Sequence, residues 1–499
     1  MRQELLRSTP EEVGIASGQL ITFLNHLENG PTQLHGLMIL RHGRVCAEGW
    51  WNPYAPGKRH ACHSLTKTYM GTAVGIALRE GLLQLDDRIV DYFPEYQDDT
   101  TLPEVTIRHL LCMATGVTSY PEPSADWIAD FFHRPATHPP GSTFFYNSAN
   151  STLLGYLIQR ISGQPVYEYL KTRLFERIGI DPENTIPTES DPEHDLWAHR
   201  MLATTEDNLR LIMLYLNHGV WDGVQILDED YVRMATSCQN PTIPDGTATN
   251  PDGEDTQHGY GYQMWMCAPE GVYRADGAGG QYAIAIPELD MAISVTESGT
   301  GTAGPQHTLN CIWRDLLPHV SSTPLHPDKV SAGALQRRLS CLSLAAPPYQ
   351  PYSELSGLIS GKFYHIIQGA FDPFYQESPP MFHRAPRSVS GFCLDFGVME
   401  GELRWFGADG SKCSVAFAMN GSRRRNQICS PWQTAKECYV SGYWRHPNEL
   451  CLLMEWTEAV TQKQIYFRFQ GTHADIQGVC DYMPGNEKEG TLFRAEAEA

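Results

Sequence analysis

The feature that most limits how this chain can fold is a change of pattern between Pro324 and Pro351. Before it, some stretches space their apolar residues as a helix does and others alternate as a strand does. After it, nearly every patterned stretch alternates. The change is marked by the punctuation Ala345-Ala-Pro-Pro-Tyr-Gln-Pro351, where three prolines in five positions oppose any regular element. At 499 residues the chain exceeds one average domain, so the break is read as a boundary. The expectation is a domain over 1–325, a linker over 326–350 with one short helix around Ala334–Leu339, and a second domain over 351–499.

In the first part, Leu20, Phe23, Leu24 and Leu27 give helical spacing to Ser17–Glu28. Gly36–Trp50 reads as a hairpin turning at His42-Gly43. Helical stretches follow at Thr66–Glu80, Arg108–Ala114, Ser151–Ile161 and Glu206–Leu216. Strand character returns at Tyr260–Met266, Tyr282–Ile286 and Met291–Val295, the last two joined by the turn Pro287-Glu-Leu-Asp290. Strands from both ends therefore enclose a helical middle, which indicates an α+β domain rather than alternating βαβ units. In the second part, Ser390–Gly397, Gly401–Gly407, Cys438–Trp444, Leu450–Trp456 and Gln464–Phe469 are short strands at close spacing, as in an antiparallel barrel or sandwich. The charged tail from Asn486 reads as frayed.

Composition narrows the partners. The formal net charge of −21 disfavours nucleic acid and anionic membranes. No apolar run reaches the length of a bilayer span, and Met1–Pro10 does not read as a secretory signal. The 13 cysteines are odd in number, scattered and without a C-x-x-C pair. They read as reduced thiols of a cytoplasmic protein, not as a disulfide frame or a zinc site. Nothing in the pattern specifies an oligomeric state.

One short stretch carries chemistry. Ser64-Leu-Thr-Lys67 places a hydroxyl and an amine at i and i+3 at the start of a small-residue helix. A serine needs an adjacent base to become a nucleophile, and a lysine is such a base once burial has removed its proton. The plain alternative is a capping serine beside a solvated lysine. Two further segments would complete a site. Pro140–Asn150 carries Tyr146 on a loop before an apolar helix, from which it could relay a proton. Tyr273–Gln281 ends in glycines that let the backbone approach a bound acyl group. Gly277-Ala-Gly-Gly280 lacks a following lysine and precedes a strand, which argues against phosphate binding. Cys62 and His63 read as a packed thiol and a structural histidine, and Arg423-Arg-Arg425 as a solvated loop.

With these segments in order, the chain resembles the serine β-lactamase and penicillin-binding-protein-like hydrolases, in particular the class C β-lactamase and esterase branch. The resemblance spans roughly residues 8–315 and rests on Ser64-Leu-Thr-Lys67, Glu80–Asp87, Asp91–Glu95, Thr106–Gly116, Pro140-Gly141, the Tyr146 segment, Gly259–Trp265 and Gly279-Gly-Gln281 with Pro287–Asp290. It implies an antiparallel sheet flanked by helices plus an all-α subdomain. It also implies that Ser64 is the acylated nucleophile, Lys67 its base partner and Tyr146 a proton shuttle. The backbone N–H groups of Ser64 and Ala278 would form an oxyanion hole, and Ser148, Gly277 and Gly279 would meet substrate. No metal or organic cofactor is implied.

Two positions depart from the family pattern. Ser148 stands where Tyr-x-Asn would place an amide, although it could instead cap the following helix. Ala275-Asp276-Gly277 lacks the lysine or histidine that usually opens the third motif, and with it an anchor for a substrate carboxylate. Both changes occur on the esterase and small-amide side of the family, including enzymes of the 6-aminohexanoate-dimer hydrolase type. The expected substrate is therefore a small ester, amide or peptide. A β-lactamase or D-amino-acid peptidase, and an acyltransferase or cyclising thioesterase using the same acyl-enzyme, are the rival readings. A non-catalytic binding protein would have lost the nucleophile or base, and this chain keeps both.

Overall fold

The computed structural model describes residues 4–120, 126–184, 201–242, 254–299, 303–369, 389–427, 437–460, 462–480 and 492–498. Two loops that the sequence marks as candidate specificity loops, Tyr120–Trp127 and Asn184–His199, lie largely outside the described residues. The chain divides into two compact units, Met1–Ser343 and Leu344–Ala499.

The first unit is built on a seven-stranded sheet. Its strands are β1 (Leu6–Arg7), β2 (Thr32–Arg41), β3 (Arg44–Trp50), β4 (Trp265–Met266), β5 (Tyr273–Gly277), β6 (Gln281–Ile286) and β7 (Met291–Gly299), in the order β1-β3-β2-β7-β6-β5-β4. All neighbours are antiparallel except β1 with β3. The β2–β3 hairpin turns at His42-Gly43, both with positive φ (51° and 68°), as a two-residue type I′ connection requires. Helix α1 (Ser17–Glu28) packs on β2, with Leu20, Phe23, Leu24 and Leu27 buried. The expected strand Tyr260–Met266 is mostly loop: only Trp265–Met266 pairs as a strand, because Gln263 takes a left-handed φ of 58°.

Helix α2 (Thr66–Arg79) is buried on every side from Thr66 to Ala77. A helix of that kind belongs in a core, and its small residues make the packing possible. A Cβ at Gly75 would lie 2.5 Å from the Tyr231 ring, and one at Gly71 3.2 Å from the Gln263 side chain. Helix α3 (Ser148–Ser162) lies against α2, and α4 (Thr205–Leu216) runs along β6 and β7. Ala73, Leu153, Leu211 and Ala283 join one continuous hydrophobic cluster. Helix α5 (Lys329–Ser340) falls within the expected linker but packs on α1 and β3.

The second unit is a closed nine-strand barrel with a tenth strand, β12, paired outside the ring. Its strands are β8 (Phe363–Gln368), β9 (Val389–Phe396), β10 (Glu400–Gly407), β11 (Lys412–Ala418), β12 (Arg424–Gln427), β13 (Glu437–His446), β14 (Glu449–Trp456), β15 (Gln462–Gln470), β16 (His473–Cys480) and β17 (Leu492–Ala497). Neighbours run β11-β10-β9-β8-β17-β16-β15-β14-β13, and the parallel contact Ala418–Ser441 between β11 and β13 closes the ring. Strand β12 pairs only with β13, and its Asn426 amide both accepts from and donates to the Ala416 backbone at 2.9 Å. Alternate residues such as Phe392, Leu394, Leu452, Met454, Ile465 and Phe467 fill the interior.

Two expectations are corrected here. The tail does not fray over its described part, because β17 pairs with β8 on one side and β16 on the other. Arg423–Arg425 is not a solvated loop: Arg423 pairs with the buried Glu455 at 2.7 Å, and Arg425 lies on β12 beside Glu437. Truncation after Gly490 should therefore open the barrel, leaving two unpaired strand edges. The expected result is a lost cooperative transition for this unit and binding of a hydrophobic dye. A truncated chain that melts like the parent would contradict the closure.

Candidate active site

Ser64 is not in the first turn of α2. It lies in the 3₁₀ turn His63–Leu65 that leads into the helix at Thr66. The preceding residue, His63, holds a φ of 45°, a conformation that is costly for a side chain with a Cβ and recurs at functional turns. Cys62 is buried with its thiol toward Asn208, and burial pushes that thiol up to about 12. It is a packed thiol, as read from the sequence.

Lys67 is 1% exposed, and its Nζ donates to Ser64 Oγ at 2.8 Å. Burial holds the amine well below the ordinary lysine value of 10.5, and the negative charge of Asp276 offsets this only in part. An ammonium in such a place loses hydration that one carboxylate does not replace. The nearby His63 is held down to about 4, chiefly by burial.

Tyr146 lies over the same amine, with Lys67 Nζ 5.0 Å from its ring centroid. The ring is fixed by Trp265, stacked at 5.4 Å, and by Tyr260, edge-on at 6.1 Å. Ser148 opens α3 but does not cap it. The cap is Asn147, whose buried side chain accepts from the Ala149 N–H at 3.0 Å. Such a cap contributes about 1 kcal/mol. No protein group among the described residues takes up the Ser148 hydroxyl.

The third segment comes up from the sheet against the turn that carries Ser64. A Cβ at Gly277 would meet the Cys62 carbonyl oxygen at 2.1 Å, so only glycine lets the end of β5 lie beside the turn that holds Ser64. Beyond it Ala278 is exposed, and Gly279 and Gly280 take φ of 81° and 92° before β6 begins. Ala275 is fully buried, and Asp276 accepts from the buried Arg274 at 2.7 Å. The structure thus brings together Ser64, Lys67 and Tyr146, and sets the Gly277–Gly280 segment beside the turn carrying Ser64.

Sequence reading missed Gln263. Its side chain donates to the Leu111 carbonyl at 2.8 Å and accepts from Ser151 Oγ at 2.5 Å, while its carbonyl accepts from Thr68 Oγ1 at 2.8 Å. One residue so ties α2, α3 and the short helix Ile107–Leu111 around the site. Only its partners reveal the role, and they are distant in sequence.

Residues 27–310, more than half of the chain, match the Beta-lactamase family model; the chain belongs to the beta-lactamase family. It is 25% identical over 315 residues to 6-aminohexanoate-dimer hydrolase of Paenarthrobacter ureafaciens, covering 57% of this chain and 78% of that one. It is also 25% identical over 247 residues to protein flp of Staphylococcus aureus strain MW2, covering 40% of this chain and 49% of flp, so it spans about half of flp's length. Among solved structures, a penicillin-binding protein homologue from Caulobacter crescentus superposes with a TM-score of 0.50 at 16% identity, over 63% of this chain and 100% of that one. That likeness establishes the fold. No helix among the described residues is long and apolar enough to cross a membrane, and no group of three or more metal-ligating side chains occurs among them.

The buried amine has a consequence for stability. Between its lowered folded value and 10.5, the unfolded state binds more protons at Lys67 than the folded state does, so stability rises with pH through that window. Lys67→Met should therefore be more stable than the parent at neutral pH, and the gap should narrow as pH approaches 10. Denaturant melts at several pH values would show this. A variant less stable than the parent throughout would contradict a buried amine of lowered basicity.

Proposed function

We propose that this protein is a serine hydrolase that cleaves an ester or small amide through an acyl-enzyme on Ser64. The observation that carries the reading is the 2.8 Å contact from a buried lysine of depressed basicity to the Ser64 hydroxyl. In acylation Ser64 Oγ bonds to the substrate carbonyl carbon and its proton passes to Lys67 Nζ. The carbonyl π electrons move onto oxygen, and the backbone N–H groups of Ser64 and Ala278 donate hydrogen bonds to the oxyanion so formed. Collapse breaks the bond to the leaving group, which takes its proton by way of the Tyr146 hydroxyl. Water then adds to the acyl ester, and its cleavage releases the acid and frees Ser64. Ser148, Gly277 and Gly279 are the proposed substrate contacts.

The third segment supports an ester or small amide over a β-lactam. Its first position is a buried alanine, and its second carries a carboxylate. A substrate carboxylate would there lose a cation and meet an anion. The name of the relative 6-aminohexanoate-dimer hydrolase is in keeping with a small amide. A cytoplasmic location belongs to the same reading, supported by eleven cysteines among the described residues that form no disulfide.

Ser64→Ala should lower turnover of short-chain nitrophenyl esters by roughly three orders of magnitude or more and abolish labelling by a fluorophosphonate probe. Equal labelling and turnover in the variant would remove Ser64 from the reaction. Nitrocefin turnover approaching that of the esters would move the substrate class to β-lactams.

A further inference from the structure

The turn that offers the Ala278 N–H is held from behind by side chains that neither motif nor spacing singled out. Gly280 N donates to Gly277 O at 3.2 Å. Because the peptide is planar and trans, this fixes the Gly277–Ala278 unit so that the Ala278 N–H points opposite to that carbonyl, out of the turn. Gln281 is fully buried, and its Nε2 donates to Glu297 O at 2.7 Å and to Ala278 O at 3.4 Å. One amide thus ties the turn to β7. The Gly299 N–H adds a bond to Gly279 O at 2.9 Å.

The Glu297 side chain closes the back of the turn. It is fully buried beside the irregularity in the β7–β2 register at Thr296–Glu297. Its Oε2 accepts from Thr308 Oγ1 at 2.6 Å, and its Oε1 meets no donor at hydrogen-bond distance among the described residues. A Cβ at Gly280 would come within 2.0 Å of Oε1, so the carboxyl rests against the turn's backbone. Burial pushes this carboxyl well above the ordinary glutamate range. The same burial opposes a negative charge behind a developing oxyanion.

We propose that Gln281 and Glu297 are positioning residues for acyl transfer: Gln281 fixes the Ala278–Gly280 turn to β7 through its amide, and Glu297 fills the space behind Gly280. The inference rests on the reading of Ala278 as an oxyanion donor. A donor displaced by a fraction of an ångström loses the transition state far more than the ground state. Both acylation and deacylation pass through an oxyanion, so both slow together.

The test uses the full chain with Gln281→Met, which keeps side-chain length and removes the donor, and Gly280→Ala, which drives a methyl into Glu297. Folded sites are counted with a fluorophosphonate label, and nitrophenyl ester turnover is expressed per labelled site. The expected result is a kcat lower by on the order of 10- to 100-fold with KM little changed, and weaker inhibition by phenylboronic acid, whose serine adduct carries the same oxyanion. If Gly280→Ala does not accumulate, Gln281→Met decides alone. Parental per-site rate and boronate affinity in Gln281→Met would overturn the proposal, as would a loss accounted for by fewer labelled sites. Ser64→Ala run alongside separates the two ideas: if it is inactive while Gln281→Met is unchanged, only the positioning role falls, and if it keeps ester turnover, the hydrolase reading falls with it.

Discussion

The first unit is organised around one unfavourable act, the burial of a lysine amine against a serine hydroxyl. Lys67 is 1% exposed and meets Ser64 Oγ at 2.8 Å. Burying an amine beside one hydroxyl is costly, so the surrounding structure must over-determine it. Helix α2 does so by being buried on nearly every side, with Gly71 and Gly75 admitting Gln263 and Tyr231 to close contact. The same packing that stabilises the core therefore keeps the amine dry.

The remaining parts of the site are fixed from three directions. Trp265 and Tyr260 hold the Tyr146 ring over Lys67. Asn147 caps α3 and so sets where the Tyr146 loop ends. Gly277 lies against the Cys62 carbonyl, which brings the end of β5 to the turn that carries Ser64. Gln263, Gln281 and Glu297 are buried polar groups whose hydrogen bonds join elements far apart in the chain. Such groups are costly when unpaired, so they specify one arrangement of the elements around them.

Local signals were the ones legible in the sequence. The apolar spacing in Ser17–Glu28 and the His42-Gly43 turn each follow from a few adjacent residues, and the structure has both. The family motifs located Ser64, Lys67 and Tyr146, which do lie together. Tertiary contacts decided the rest. The left-handed Gln263 cut short the strand expected over Tyr260–Met266. Partners on both sides turned a charged tail into β17. Helix α3 begins at Ser148, earlier than its apolar spacing indicates, because Asn147 caps it. The positioning of the glycine turn by Gln281 and Glu297 had no sequence signature, since it depends on β6 and β7 lying side by side.

The proposed reaction needs Lys67 to take up the Ser64 proton, which a buried amine of lowered basicity can do. Direct titration of its side chain decides this, using ¹³Cε-labelled lysine followed by NMR from pH 5 to 11, with the resonance assigned by its absence in Lys67→Met. The Lys67 resonance is expected to titrate well below the ordinary value of 10.5, apart from the remaining lysines. A Lys67 signal that titrates together with the other lysines would contradict it.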